Sequence, residues 1–314
     1  MIDPAVIDRA KGALVGLAVG DALGTTVEFK PRGTFPPVAD MVGGGAFELP
    51  AGAWTDDTSM ALCLADSLVF CKAFDPENIM NRFVNWMDYG HNSVTGTCFD
   101  IGNITRAVLQ RYKSEGLAIQ APAAPHMAGN GSIMRLTPAV LACLNDRPMA
   151  VELSVEQSRL THAAPETLDA CRLMGGLLYD LIHQSAARGD MAIEEPKILD
   201  LQSGRYRLKS REEISSTGYV VHTLEAALWA VSQTNNFQDA VLLAVNLGDD
   251  ADTVGAVTGQ IAGAKWGYTS IPQPWLDRLA WREKIEETAV SLASVDLRSK
   301  PSVRAGLTPA PSIS

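Results

Sequence analysis

Cysteine is sparse in this chain: Cys63, Cys71, Cys98, Cys143 and Cys171 make an odd set of five without a C-x-x-C pair, most of them inside apolar runs. A disulfide scaffold and a zinc ribbon are excluded, and reduced, buried thiols in a cytoplasmic protein are expected. Basic residues are in deficit, 26 Lys and Arg against 36 Asp and Glu, for a formal charge of −10 in 314 residues. A general phosphate-neutralising surface for nucleic acid needs clustered Lys and Arg, so that class is excluded; a basic protein target or a metal cation suits the charge better. Long apolar runs are also missing. The stretch "GALVGLAVGDALG" covers only 13 residues, is interrupted by Asp21, and has neither a basic leader nor a small-residue cleavage site, so it predicts neither a membrane span nor a signal peptide.

Strand-like alternation of apolar and polar residues is nearly absent. Apolar residues recur instead at helical spacing over 7–19, 59–70, 78–87, 103–112, 133–144, 168–182, 219–231 and 237–247. Breakers such as "KPRGTFPP", "GGG" and "APAAPHMAGNG" separate them. With 46 % hydrophobic residues the chain can bury a sizeable core, and the pattern predicts ten or more helices in one all-α domain over 1–295. The Pro- and Ser-rich stretch 296–314 is expected to be a mobile tail.

One periodicity occurs twice. Gly12, Gly16, Gly20 and Gly24 fall four apart, as do Gly255, Gly259, Gly263 and Gly267. Each glycine costs a helix about 1 kcal/mol relative to alanine. Stripes kept at that cost predict close backbone approach at the centre of the domain, with the two stripes facing each other.

Two acidic clusters open apolar helices. "WTDDTSMAL" carries Thr55, Asp56, Asp57 and Thr58, and "NLGDDADTVGAVTG" carries Asp249, Asp250, Asp252 and Thr253. One such residue is explained by N-capping and by the helix dipole. Five aspartates at two helix starts exceed what capping requires, and burying them together is unfavourable unless a cation neutralises them or some keep a proton. Carboxylates and hydroxyls without His or Cys favour Mg²⁺ or Mn²⁺ over Zn²⁺. If both clusters project to one point, a pair of ions about 3.5–4 Å apart fits. A competing pattern, "DADTV", which approaches D-x-D-x-T with Val254 in the last place, behind a strand-like "AVLLAVNLG", would suit an aspartyl-phosphate enzyme. That fold needs a parallel sheet and further motifs, which the helical remainder does not offer.

Taken in order, "GALVGLAVGDALGTTVEF", "WTDDTSMAL", "GTCFDIGNITRA", "GNGSIMR", "THAAPE" and "NLGDDADTVGAVTGQIAGAKWG" resemble the successive motifs of the ADP-ribosylglycohydrolases over roughly residues 8 to 290. The likeness is strongest to members that remove ADP-ribose from arginine. The resemblance implies a compact all-α domain with a central dinuclear Mg²⁺ or Mn²⁺ site and an ADP-ribosylated protein as substrate. It implies Thr55, Asp56, Asp57, Asp250, Asp252 and Thr253 as metal ligands, with Asp249 structural. Asp100 would face the guanidinium and Glu28 would assist or gate catalysis. From the residues alone, Asp100 reads as an N-cap and Glu28 as an exposed acid ending the first helix.

The same resemblance makes Gly129, Asn130, Gly131 and Ser132 a diphosphate loop helped by Gly102 and Asn103, and glycines there let backbone amides approach a pyrophosphate. His162 would contact the distal part of ADP-ribose and Tyr219 would stack on adenine. Without it, His162 reads as a C-terminal helix cap and Tyr219 as core. A second function remains open: an ADP-ribose-binding or immunity-type protein that neutralises an ADP-ribosyltransferase by direct contact.

Overall fold

A computed structural model describes residues 2–116, 121–185 and 191–297. Among them are thirteen α-helices, several short 3₁₀ turns and no strand, only two isolated bridges at Gly44 with Leu49 and Gly129 with Tyr219. The all-α expectation holds. The expected tail lies, from residue 298 onward, outside the described residues.

Helices α1 (Pro4–Gly24) and α11 (Ala251–Trp266) form the central pair. Both are buried nearly all round, as a helix without a polar face must be. Their glycines meet in antiparallel order. A Cβ added at Gly12, Gly16 or Gly20 would fall on the carbonyl oxygen of Gly263, Gly259 or Gly255, and one at Gly24 would strike Ala251 and Asp252. The facing-stripe expectation is met over three pairs. Gly267 is the exception: it ends α11 at φ +86° against the Asp8 carboxylate.

Around this pair lie α2 (Asp56–Cys71), α5 (Thr137–Leu141), α7 (Pro165–Ile182), α9 (Val220–Ser232), α10 (Phe237–Val245) and α13 (Arg282–Ala293). Outer helices are amphipathic. Helix α3 (Pro76–Tyr89) starts at Asp75, whose carboxylate accepts the Asn78 N–H at 3.0 Å, and stops at left-handed Gly90; it buries Ile79, Met80, Phe83 and Trp86. Helix α4 spans Asn103–Glu115. Residues 237–245, strand-like in composition, are helical, which removes the aspartyl-phosphate alternative.

Two elements show how packing overrides the apolar pattern. The helix expected over 133–144 is only the five-residue α5, because Pro138 has no N–H for the Met134 carbonyl. Gln260 of α11 substitutes for the missing ladder: its Nε2 donates to the carbonyls of Met134 (2.7 Å) and Ile133 (3.3 Å), and its Oε1 accepts from Thr137. Helix α6 (Arg147–Arg159) is unmarked by periodicity because its buried face includes Ser154, Gln157 and Ser158.

Candidate active site

The first acidic cluster is set by α1. Asp21, fully buried, accepts four hydrogen bonds: from the Thr55 N–H (2.8 Å) and hydroxyl (2.9 Å), and from the Thr58 N–H (3.1 Å) and hydroxyl (2.6 Å). A side chain from another helix therefore caps α2. Thr55 itself makes no side-chain cap bond, and the cap expected from the Thr55–Asp57 stretch is absent. Asp56 and Asp57 are left free of capping duty.

The second cluster reaches the same place. The Thr55 hydroxyl lies 3.3 Å from both Asp57 Oδ2 and Asp252 Oδ2, and the Thr253 hydroxyl 3.5 Å from Asp57 Oδ2. Asp250 accepts from Asn130 Nδ2 at 2.6 Å. Asp249, at φ +57°, is exposed. Its backbone clasps the segment after α1, with the Phe29 N–H on its carbonyl (2.7 Å) and its own N–H on the Lys30 carbonyl (2.9 Å).

That clasp holds Glu28, which is buried rather than an exposed helix end. Arg32 reinforces it by donating to the carbonyls of Leu247, Arg211 and Ile214. Asp100 is not a cap either: α4 starts from Gly102, and Asp100 sits two residues earlier at φ +58°. Left-handed backbone at a non-glycine residue is uncommon, and it turns this carboxylate inward. One oxygen each from Glu28, Asp100 and Asp252 lie within 4.8 Å of one another.

These acids are electrostatically frustrated. Burial, and then the charges of Asp252, Asp250 and Asp56, push Glu28 up to about 11. Burial with Asp56, Asp252 and Glu28 raises Asp100 far above the carboxylate range. Asp56 and Asp57 are raised by burial and by their acidic neighbours, and Asp250 goes up to about 8 for the same reasons. Asp21 reaches only about 6, because its four hydrogen bonds oppose the burial. Among the described residues no Lys or Arg pairs with any of them. Glu28 Oε2, Asp57 Oδ1 and Asp100 Oδ2 are buried without a hydrogen-bond partner. An all-oxygen set with orphaned lone pairs fits a hard divalent cation.

Beside the acids, residues 129–132 form a turn bound to the start of α9: the Asn130 N–H donates to Gly218, and the Val220 N–H to Ala128. Ser132 and His162 lie beneath this turn. The Ser132 hydroxyl is 2.7 Å from Ser158 Oγ, and His162 Nδ1 is 2.8 Å from Thr161 Oγ1; neither side chain caps a helix. Tyr219, half-buried, bridges to Gly129, donates its hydroxyl to Glu166, accepts from Lys197 Nζ at 2.7 Å and meets His222 edge-on. Gly102 and Asn103 are exposed at the start of α4, which has no side-chain cap.

A family model described as ADP-ribosylglycohydrolase matches residues 2–301. The chain belongs to the ADP-ribosylglycohydrolase family. It is 48 % identical to an ADP-ribosylarginine hydrolase Tri1 from Pseudomonas putida (strain GB-1), covering 91 % of this chain and 78 % of that one. It is 36 % identical to an ADP-ribosyl-[dinitrogen reductase] glycohydrolase from Rhodospirillum rubrum, over 94 % of this chain and all of the relative. A solved structure titled ADP-ribosylglycohydrolase-related protein complex superposes with a TM-score of 0.76 at 40 % identity, covering 93 % of this chain and 99 % of that one.

For this glycohydrolase, the residue that sequence reasoning passed over is Asp21, counted there only as a break in an apolar run. An acid inside a glycine-striped, otherwise apolar helix was the available signal, since a buried carboxylate demands partners. No helix of the described residues is long and apolar enough to cross a membrane.

Proposed function

We propose that this protein hydrolyses the N-glycosidic bond joining ADP-ribose to an arginine of a protein, reversing mono-ADP-ribosylation. The observation that carries the proposal is the convergence of Asp100 and Glu28 on the carboxylates at two helix starts. Relatives named as ADP-ribosylarginine hydrolases support the choice of arginine.

Thr55, Asp56, Asp57, Asp250, Asp252 and Thr253 would hold two divalent cations, Mg²⁺ or Mn²⁺, which supply Lewis acidity toward the ribose hydroxyls and a water. Asp100 accepts hydrogen bonds from the guanidinium and places a proton on the leaving nitrogen as the C1–N bond breaks and its electron pair returns to that nitrogen. Water adds to C1, where positive character develops, and gives up its proton to Glu28, which the charge of bound cations would keep ionised. The products are free ADP-ribose and unmodified arginine. The uncapped start of α4 at Gly102 and Asn103 and the Gly131 amide take the diphosphate, the Gly129 and Asn130 amides being spent on Met127 and Gly218; Ser132 and His162 support that turn from below, and Tyr219 borders the adenine side. No observation favours a binder that merely neutralises a transferase.

The deciding experiment offers ADP-ribosylated arginine, serine and DNA substrates with Mg²⁺, Mn²⁺ or chelator and follows free ADP-ribose. Release from arginine that the chelator abolishes is expected. No release from any substrate would sink the hydrolase reading, and release from serine or DNA alone would overturn the arginine assignment.

A further inference from the structure

Arg135 is wholly buried and has no carboxylate partner among the described residues. Its guanidinium lies over the Phe83 ring, 4.5 Å from the centroid, and donates to Gln157 Oε1 (3.1 Å), the Gln157 carbonyl (3.2 Å) and Thr161 Oγ1 (2.7 Å). Gln157 in turn donates to the Ser132 carbonyl at 2.9 Å, and Ser158 to the His162 carbonyl at 2.8 Å. The cation is thus wired into both the 129–132 turn and His162.

Counting hydrogens along this wire gives a direction. A guanidinium only donates, so Thr161 Oγ1 accepts from Arg135. Among the described residues the one hydroxyl hydrogen of Thr161 then has a single acceptor within reach, His162 Nδ1 at 2.8 Å. In the opposite arrangement Nδ1–H and Arg135 would both point at the same oxygen and the buried hydroxyl hydrogen would be stranded. His162 Nδ1 is therefore the acceptor, and the ring hydrogen sits on Nε2.

The Nε2 edge faces the turn. A Cβ added at Gly131 would stand 2.7 Å from His162 Cε1, 3.0 Å from Nε2 and 3.3 Å from Thr105 Oγ1, and one at Gly129 would stand 3.5 Å from Nε2. Nε2 has no protein partner among the described residues, and any side chain at 131 would press against it. We infer that Arg135 is a positioning residue that acts through Thr161 to hold His162 as the Nε2–H tautomer, so that a hydrogen-bond donor underlies the 129–131 turn where an oxygen of the substrate rests. The charge of Arg135 has a second effect. Burial first, and then Arg135, lowers His162 to about 3, so the ring stays a neutral donor across the working range.

The identity of the bound oxygen rests on the proposed function; the tautomer does not. Nitrogen-15 spectra of wild-type protein between pH 5 and 8, with the His162 signals assigned by their loss in His162→Asn, are expected to show a pyrrole-type Nε2 and a pyridine-type Nδ1. Thr161→Val should give a mixture of tautomers and weaken ADP-ribose binding about tenfold, the order of one lost hydrogen bond, and Thr161→Ser should restore both. Arg135→Met, where circular dichroism shows it folded, should give the same spectral change; if it does not fold, the wild-type spectrum and the Thr161 pair decide. A wild-type Nδ1–H tautomer, or an unchanged tautomer in folded Thr161→Val, overturns the inference. An inactive enzyme with the Nε2–H spectrum counts against the hydrolase reading alone.

Discussion

Asp21 and Asp100 carry the same carboxylate into opposite surroundings. Asp21 has four donors from Thr55 and Thr58, whereas Asp100 Oδ2 is buried with none. The first environment suits a fixed anion that organises α2, and the second suits a group that exchanges protons. Asp100→Asn should lower ADP-ribose release about 10²–10⁴-fold, the usual span for losing an acid–base group, with Mn²⁺ affinity by calorimetry changed only a few-fold. Wild-type turnover in that variant would refute the role. Asp21→Asn presents an amide NH₂ where hydroxyl and backbone donors already point. Metal affinity should fall about 10–100-fold, as for other residues that orient ligands, while the cation-free protein stays folded by circular dichroism. Unchanged affinity would show that Asp21 serves the helix start alone.

Among the elements, α1 and α11 bring the two halves of the site together, and their glycines set the distance. Replacing Gly16 or Gly259 with alanine gains about 1 kcal/mol of helix propensity. It also drives a methyl into a backbone carbonyl of the opposite helix, which cannot rotate out of the way. Overpacking should win, with a net loss of about 2–3 kcal/mol in urea unfolding and a parallel loss of metal binding, because Asp21 and Asp252 ride on these helices. Gly102→Ala is the control. Nothing lies within 4 Å of its added Cβ, so stability should move by less than about 0.5 kcal/mol.

For the molecule as a whole, the acidic cluster makes stability depend on pH and on cations together. In cation-free protein Asp250 lies at about 8 and Glu28 at about 11, against about 4 for carboxylates in the unfolded chain. The folded state then holds more protons than the unfolded one, so stability is greatest at low pH and is lost as pH rises through these values. His162, lowered to about 3, opposes this in the acid range, where its burial as a neutral ring costs stability, and is mostly neutral in both states above about pH 7. Between pH 7 and 8 in chelator the unfolding free energy should therefore fall by about 1.4 kcal/mol per pH unit for each extra proton the folded state holds, read as a falling melting temperature. Saturating Mn²⁺ should flatten the curve, and a flat curve in chelator would remove the case for a frustrated cluster.

Much of this architecture is legible in residue order alone. Period and breakers marked most of the helices, the glycine stripes announced a backbone contact, and surplus aspartates at two helix starts exposed the site, because capping one helix needs one acceptor. Local signals could not reach interactions made across the chain. Helix α6 stayed hidden because Gln157 and Ser158 are buried by polar partners, and 133–144 looked helical because the rescue by Gln260 comes from α11. The acids also looked like caps because the true cap, Asp21, is 34 residues from Thr55 in the chain. Sequence by itself marked most of the helices and the acids of the candidate site. Tertiary structure alone decided which carboxylates are hydrogen-bonded and which are left in need of a cation, since that depends on the donors that packing brings to each oxygen.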